Sequence, residues 1–281
     1  MEPIKITSFS ERDAGGNPAG VVIAEVLPAP EEMQRIAADL GFSETAFAAP
    51  RSGGWTVRYF APVGEVAFCG HATIALGAAL GAQYGAGRFD LSLQNGKISV
   101  EAEKRGDRWH AALQSPETWS RPLDDDLRYA LLDAFALSDG DLDPALAPRL
   151  AFAGVQHAVL TLKERSRLAQ MSYPFNAMRD LMAAHDLVTV NLLHIESPRL
   201  FISRNAFASG GVIEDPATGA AAAALGGMLV DLDWDGLGRG GSFDVRQGED
   251  MGMPSALRVD VTGTPGASVR VSGAVRWMDE A

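Results

Sequence analysis

The chain has 281 residues, 47% of them hydrophobic and 21% charged, with a formal net charge of −12. That length accommodates two domains of ordinary size. The acidic balance, with no basic cluster in any loop, excludes nucleic acid and anionic membrane as partners.

The first residues have no apolar signal core and no apolar run approaches a membrane span, so the chain reads as cytoplasmic. The one cysteine, Cys69, forbids an intrachain disulfide and a cysteine metal cluster. Residues 4–9 and 21–26 read as strands joined by a Gly15-Gly16-Asn17-Pro18 loop. Pro30 in a first turn, with Met33, Ile36, Ala37 and Leu40 at helical spacing, predicts a short amphipathic helix ending at Gly41. Residues 45–49 and 56–60 are strand-like and flank Arg51-Ser52-Gly53-Gly54, a hairpin signal. A buried helix follows over 72–80. A β-meander then covers 91–93, 98–102 and 109–113, with turns at Asn95-Gly96 and Gly106-Asp107.

Ser115-Pro116 through Pro122, followed by Asp124-Asp125-Asp126, reads as a linker and gives domains 1–116 and 117–281. The last strand, about 268–281, is able to cross back to the first domain. The second half repeats the plan, with strands over 158–162 and 188–193 and helical stretches around 165–171 and 177–185. A buried helix starts at Gly219, and strands over 242–247, 256–261 and 268–275 close the half. Gly236-Leu237-Gly238-Arg239-Gly240-Gly241 matches a dinucleotide fingerprint in form only, because it precedes a strand and reads as a loop. The predicted fold class is α+β: two pseudo-symmetric domains, each a curved, mostly antiparallel sheet or barrel wrapped around a central buried helix.

The repeat is visible in the residues. Gly70-His71-Ala72-Thr73-Ile74-Ala75-Leu76-Gly77 and Gly219-Ala220-Ala221-Ala222-Ala223-Ala224-Leu225-Gly226 share their small residues and the Leu-Gly pair at a constant offset of 149. Phe60-Ala61 and Phe207-Ala208 correspond at offset 147, so two residues are gained between the marks. Self-similarity at half-length means two related domains. Glycine-led turns opening both helices predict two helix N-termini converging on one cleft, where free N–H groups and positive dipole ends suit an anionic ligand. Small-residue helices occur in any buried packing, so the chemistry beside each copy has to decide.

Glu44, between Phe42 and Phe47 and with no lysine or arginine nearby in sequence, is a candidate general base and acid if it lies in a closed cleft; the bland reading is an exposed strand glutamate. His71, at the start of the first buried helix, is placed to hydrogen-bond a substrate carboxylate, although a lone histidine is more often structural. Asp215, held extended by Pro216, is either a turn or cap residue or a second polar group facing Glu44. No histidine pair has zinc-ligand spacing, so no metal site is predicted. A two-thiol racemase is excluded because there is no second cysteine, and Cys69 reads as inert.

The blocks Gly16-Asn17-Pro18-Ala19, Ser43-Glu44-Thr45-Ala46-Phe47, Arg58-Tyr59-Phe60-Ala61-Pro62, Glu65-Val66, Cys69-Gly70-His71-Ala72-Thr73, Glu214-Asp215-Pro216-Ala217-Thr218-Gly219 and Gln247-Gly248 follow in order along most of the chain. In these blocks the sequence resembles the PhzF-like isomerases, which have the diaminopimelate-epimerase fold. The resemblance implies two pseudo-symmetric domains with a catalytic cleft between their central helices, and no cofactor. It implies that Glu44 moves a proton between substrate carbons, with His71 and Asp215 lining the same site. Ser43, Gly70, Thr218, Gly219 and Ala220 are then expected around the substrate. The family usually continues Thr-Gly-Ser where this chain has Thr218-Gly219-Ala220, and it opens Asp-Ala-Phe-Thr where this chain has Thr7-Ser8-Phe9-Ser10. The first departure argues against a phenazine precursor as substrate. The expected function is a cofactor-independent isomerase or epimerase of a small anionic carboxylic acid, compatible with a homodimer. The alternatives are a catalytically silent binding protein of the same fold and, more weakly, a lyase or hydrolase using the same acid–base pair.

Overall fold

The helices Gly70–Tyr84 and Gly219–Asp231 carry no polar face, so each must be enclosed by other structure to exist in water. A computed structural model, describing residues 2–11, 13–94 and 96–278, supplies that enclosure in two units. One unit runs to Gln114 and includes the segment from Ser272; the other is Ser115–Val271.

The first unit consists of β1 (Ile4–Ser8), β2 (Asn17–Ile23), α1 (Pro30–Leu40), β3 (Thr45–Arg51), β4 (Gly54–Ala61), β5 (Gly64–Val66), α2 (Gly70–Tyr84), β6 (Gly87–Leu93), β7 (Gly96–Arg105) and β8 (Arg108–Gln114). The second contains β9 (Trp119–Pro122), α3 (Asp125–Ala134), β10 (Arg149–Phe152), β11 (Gln156–Leu162), α4 (Arg165–Ala169) and α5 (Phe175–Ala184). It continues through β12 (Leu187–Ser197), β13 (Leu200–Ala206), β14 (Glu214–Asp215), α6 (Gly219–Asp231), β15 (Gly241–Gln247) and β16 (Ser255–Val261). The last strand among the described residues, β17 (Arg270–Trp277), pairs with β1 and β8 and closes an eight-stranded ring of β1, β2, β3, β4, β6, β7, β8 and β17.

The pairing scheme repeats. In the first unit, β1–β2 is antiparallel, β2–β3 parallel, β3–β4 antiparallel, β4–β6 parallel and β6–β7 antiparallel. In the second, β10–β11, β11–β12, β12–β13, β13–β15 and β15–β16 follow the same order of directions. The parallel steps require crossovers: α2 and α6 make the β4–β6 and β13–β15 crossovers, and the β2–β3 and β11–β12 crossovers are made by α1 in one unit and by α4 and α5 in the other. Helices α1, α4 and α5 cover the outer sheet faces. Met33, Ile36 and Ala37 of α1 pack with Val22, Phe47 and Phe60. Leu168, Met178 and Met182 of α4 and α5 pack with Ala158, Leu160, Val190 and Leu192. The central residues of β2, β3, β11 and β12 are therefore buried on both faces. On the inner side, a Cβ at Gly77 would overlap Val100 of β7, and one at Gly226 would crowd Val259 of β16, so glycine sets how closely each helix approaches its sheet.

Several sequence expectations change. Asn17 and Pro18 are the first residues of β2, not loop, and Pro18 pairs with Thr7 on β1. Residues 119–122 of the expected linker form β9, antiparallel to β10. The acidic run after it opens α3, with Asp125 and Asp126 in the first turn, where carboxylates favour the helix dipole. The short strands β5, β10 and β14 and the seven-residue β13 are not among the predicted elements. The Phe60/Phe207 correspondence is also corrected. Phe60 lies opposite Glu65 and Ala206 opposite Glu214, so these strands correspond at offset 146 and three residues are gained before Gly219. A one-residue slip would have exchanged the inner and outer faces of β13. Of the predicted Asn95-Gly96 turn, Asn95 lies outside the described residues, as do residues 279–281 of the predicted last strand. No helix is long and apolar enough to cross a membrane among the described residues.

Candidate active site

In the first unit, Glu44 sits one residue before β3, and its carbonyl accepts the Gly20 N–H of β2 at 3.2 Å. Asn17 and Ser43 begin or precede the neighbouring strands, so the parallel β2–β3 pair brings all three to one end of the barrel. The start of α2 meets them there. Cys69 is its extended N-cap, and His71 stands in its first turn, 5% exposed. The Ser8 hydroxyl donates to the His71 carbonyl at 2.7 Å. Thr73 donates to the Cys69 carbonyl at 2.7 Å. That hydroxyl proton is then engaged, so the Tyr59 hydroxyl is the donor in its 2.6 Å bond to Thr73. Burial pushes the Tyr59 phenol above its usual range and keeps it a donor.

The His71 ring is clamped on both nitrogens. The Asn17 amide nitrogen lies 3.1 Å from Nδ1, which must therefore accept, leaving the proton on Nε2. Nε2 faces the Ser43 hydroxyl at 3.3 Å and Glu44 Oε2 at 3.4 Å. Glu44 Oε2 is shielded from solvent and completes no hydrogen bond. Cys69 Sγ approaches the same ring, 3.4 Å from Nδ1 and 3.9 Å from Nε2. A buried carboxylate oxygen without a hydrogen bond, beside an imidazole N–H, is equipped to take up a proton and return it.

In the second unit, Asp215 closes β14 and is 6% exposed. Thr218, the N-cap of α6, donates its hydroxyl to Asp215 Oδ2 at 2.5 Å. Gln247, 1% exposed at the end of β15, clasps the turn between them. Its Nε2 donates to the Asp215 carbonyl at 2.6 Å and to Thr218 Oγ1 at 3.0 Å, while its Oε1 accepts the Thr218 N–H at 3.1 Å. A Cβ on Gly248 would overlap the Met253 carbonyl and stand 2.8 Å from the Pro216 carbonyl, so the Gln247-Gly248 block and the Glu214-Asp215-Pro216 block fit each other. Gly219 and Ala220 open α6, and neither α2 nor α6 has a side-chain cap hydrogen bond.

Both helix mouths are braced by a bidentate ion pair. Arg58 holds Glu65 at 2.7 and 2.6 Å in the first unit. Arg204 holds Glu214 in the second, at 3.0 and 2.5 Å, and also donates to the Ala169 carbonyl at 2.7 Å. The strand registers make these equivalent positions. The helix starts equate Cys69 with Thr218 and His71 with Ala220 as N-cap and first-turn residues. Burial works against the Arg204 guanidinium, but Glu214 and Asp250 outweigh it and leave its pKa raised.

The predicted residues thus fall into two groups. Ser43, Glu44, Gly70 and His71 come together in the first unit, and Asp215, Thr218, Gly219 and Ala220 in the second. The contacts of Asn17, Gln247 and Arg204 with these groups are not among the sequence expectations. Asn17 and Gln247 stood in recognised motif blocks, which was the available signal, while Arg204 had none.

A profile of the phenazine biosynthesis-like protein family matches residues 6–280. A Deinococcus radiodurans protein named as an uncharacterized isomerase is 32% identical over 278 residues, covering 96% of this chain and 90% of its own. The trans-2,3-dihydro-3-hydroxyanthranilate isomerase of Pseudomonas fluorescens is 31% identical over 272 residues, covering 95% and 92%. Among solved structures, a PhzF-family phenazine biosynthesis protein of Bacillus anthracis superposes with a TM-score of 0.86 at 22% identity over 99% of this chain and 96% of that one. A hydroxyproline epimerase of Agrobacterium vitis gives a TM-score of 0.67 at 12% identity, covering 99% and 90%, a likeness of fold.

Proposed function

The chain belongs to the phenazine biosynthesis-like family and is a PhzF-like isomerase; on that premise we propose that it shifts or inverts a proton on a small carboxylic acid, without a cofactor, using Glu44 as general base and acid. The observation that carries this reading is the Glu44–His71 pair: Oε2 is buried, 3.4 Å from Nε2, and completes no hydrogen bond. Glu44 takes the proton from a carbon adjacent to the substrate's carboxylate or its unsaturation. The electron pair left behind delocalises into the conjugated acid. Protonated Glu44 then delivers the proton to another carbon, or to the other face of the same one. No electron leaves the substrate and no co-reactant is consumed.

His71, with its proton on Nε2, steadies the carboxylate and donates to developing negative charge. The N–H groups at Gly70 and His71 offer a positive helix end to the substrate's carboxylate. Catalytic contact by Asp215 and substrate contact by Ser43, Thr218, Gly219 and Ala220 belong to the same proposal. Ala220 offers no hydroxyl, which favours a substrate other than that named for the Pseudomonas fluorescens relative.

The test is solvent-proton exchange. The protein is incubated in heavy water with a panel of small amino and hydroxy acids and trans-2,3-dihydro-3-hydroxyanthranilate, and deuterium gain is read by mass. Glu44→Gln keeps the shape but cannot carry the proton, and exchange should fall on the order of 100- to 10,000-fold. Cys69→Ser should lose far less, and Asp215→Asn should fall between them. Should Cys69→Ser stop exchange while Glu44→Gln permits it, sulfur carries the proton and the assignment fails.

A further inference from the structure

Cys69 has no part in the proton transfer just described, yet its sulfur closes a donor cluster. Glu44 Oε2, Cys69 Sγ and a His71 ring nitrogen all lie within 4.8 Å of one another. Nε2 is 3.4 Å from Oε2 and 3.9 Å from Sγ. Tetrahedral zinc, with bonds of about 2.0 Å to nitrogen and oxygen and about 2.3 Å to sulfur, sets its ligand atoms about 3.3–3.6 Å apart. The cluster is therefore within a few tenths of an ångström of that spacing along the two edges through Nε2. Oε2 completes no hydrogen bond, so its capture by a cation breaks none.

We propose that Glu44, Cys69 and His71 form a three-ligand site for Zn2+, whose occupation, resting on the proposed role of Glu44, withdraws that carboxylate from proton transfer. One thiolate, one imidazole and one carboxylate select a borderline-soft cation over Mg2+ or Ca2+, which demand oxygen shells. Three protein ligands leave a fourth position for water or a substrate carboxylate. Asn17 supplies the outer shell, because its amide, turned to present oxygen, accepts the Nδ1 proton that the ring carries once Nε2 is bound. Coordination releases the thiol proton to solvent. These ligands show no zinc-binding spacing along the chain, because they come from a strand end and a helix mouth, 25 residues apart from Glu44 to Cys69.

The test measures metal, not turnover, so its failure leaves the isomerase reading untouched. The full chain, kept reduced, is titrated with Co2+. A thiolate-to-cobalt charge-transfer band can arise only at Cys69, since the chain has one cysteine. The expected result is a band saturating at one equivalent and abolished by Zn2+. Zn2+ affinity is then measured by competition with a chromophoric chelator. Asn17→Ala should weaken it about 10- to 100-fold, and Glu44→Gln and His71→Asn should weaken it at least as much. Thermal melts establish which variants are folded, and each folded one is a separate test. The proposal is overturned if Co2+ gives no band, or if Zn2+ binds the folded Glu44→Gln or His71→Asn variant as tightly as the parent chain.

Discussion

Lowering the pH should destabilise the second unit through one residue, His157. Its side chain is fully buried. Nδ1 is 2.8 Å from Thr189 Oγ1, whose own proton goes to Asn205 Oδ1 at 2.8 Å. The Asn205 amide donates to Ser203, which donates to Asn191 Oδ1. This directed chain requires His157 to be the donor at Nδ1, which leaves Nε2 as the bare nitrogen, and Nε2 has no partner. A second proton would enter a dry site with nothing to accept it, and burial lowers the pKa from 6.5 to about 3. Because the folded value lies below the unfolded one, this contribution is complete above about pH 7 and is lost as pH falls through 6.5 towards 3. Between pH 7 and pH 5 the loss is about 2 kcal/mol. His157→Asn keeps a donor for Thr189 and cannot titrate. At pH 7 it should be less stable than the parent by roughly 1–3 kcal/mol, from the gap left in the core. By pH 5 that deficit should shrink by about 2 kcal/mol. Urea unfolding of both proteins at pH 7, 6 and 5 provides the comparison, and carboxylates common to both cancel. A deficit that stays constant across the three pH values refutes the argument.

Other outcomes follow from the same contacts. Arg204→Met, which strands the buried Glu214, should cost about 3–5 kcal/mol in unfolding experiments, whereas Arg58→Met should cost nearer 1 kcal/mol because its pair is about a quarter exposed; equal costs would contradict the difference in burial. Gly77→Ala should destabilise through overlap with Val100, on the order of 1–3 kcal/mol less the roughly 1 kcal/mol gained in helix propensity. In a Val100→Ala background the same change should become stabilising, and a sign that does not reverse would mean that the two residues do not limit the helix–sheet approach.

The residues alone carried the outline of this protein. Two Gly-led helices without a polar face can only be central, and the half-length repeat makes two such centres. The motif blocks around Glu44, His71 and Asp215 pointed to the family that the profile match bears out. What local sequence could not carry was anything set by pairing across the chain. Strands β10 and β14 are too short for their pattern to stand out, and in β13 the consecutive Ser203, Arg204 and Asn205 break the alternation; all three exist because a neighbour completes their hydrogen bonds. The acidic run at 124–126 has the composition of a linker, and it opens a helix because Leu127 and Leu131 find a core to enter. The correspondence between the halves had to be corrected from offset 147 to 146, since register follows the pairing of Ala206 with Glu214 and not the resemblance of two phenylalanines. The grouping of Asn17, Glu44, Cys69 and His71 was decided in the same way. A parallel strand pair and a helix mouth bring together side chains that no spacing along the sequence relates, and the physical cause is the burial of α2, which leaves its first turn one place to go.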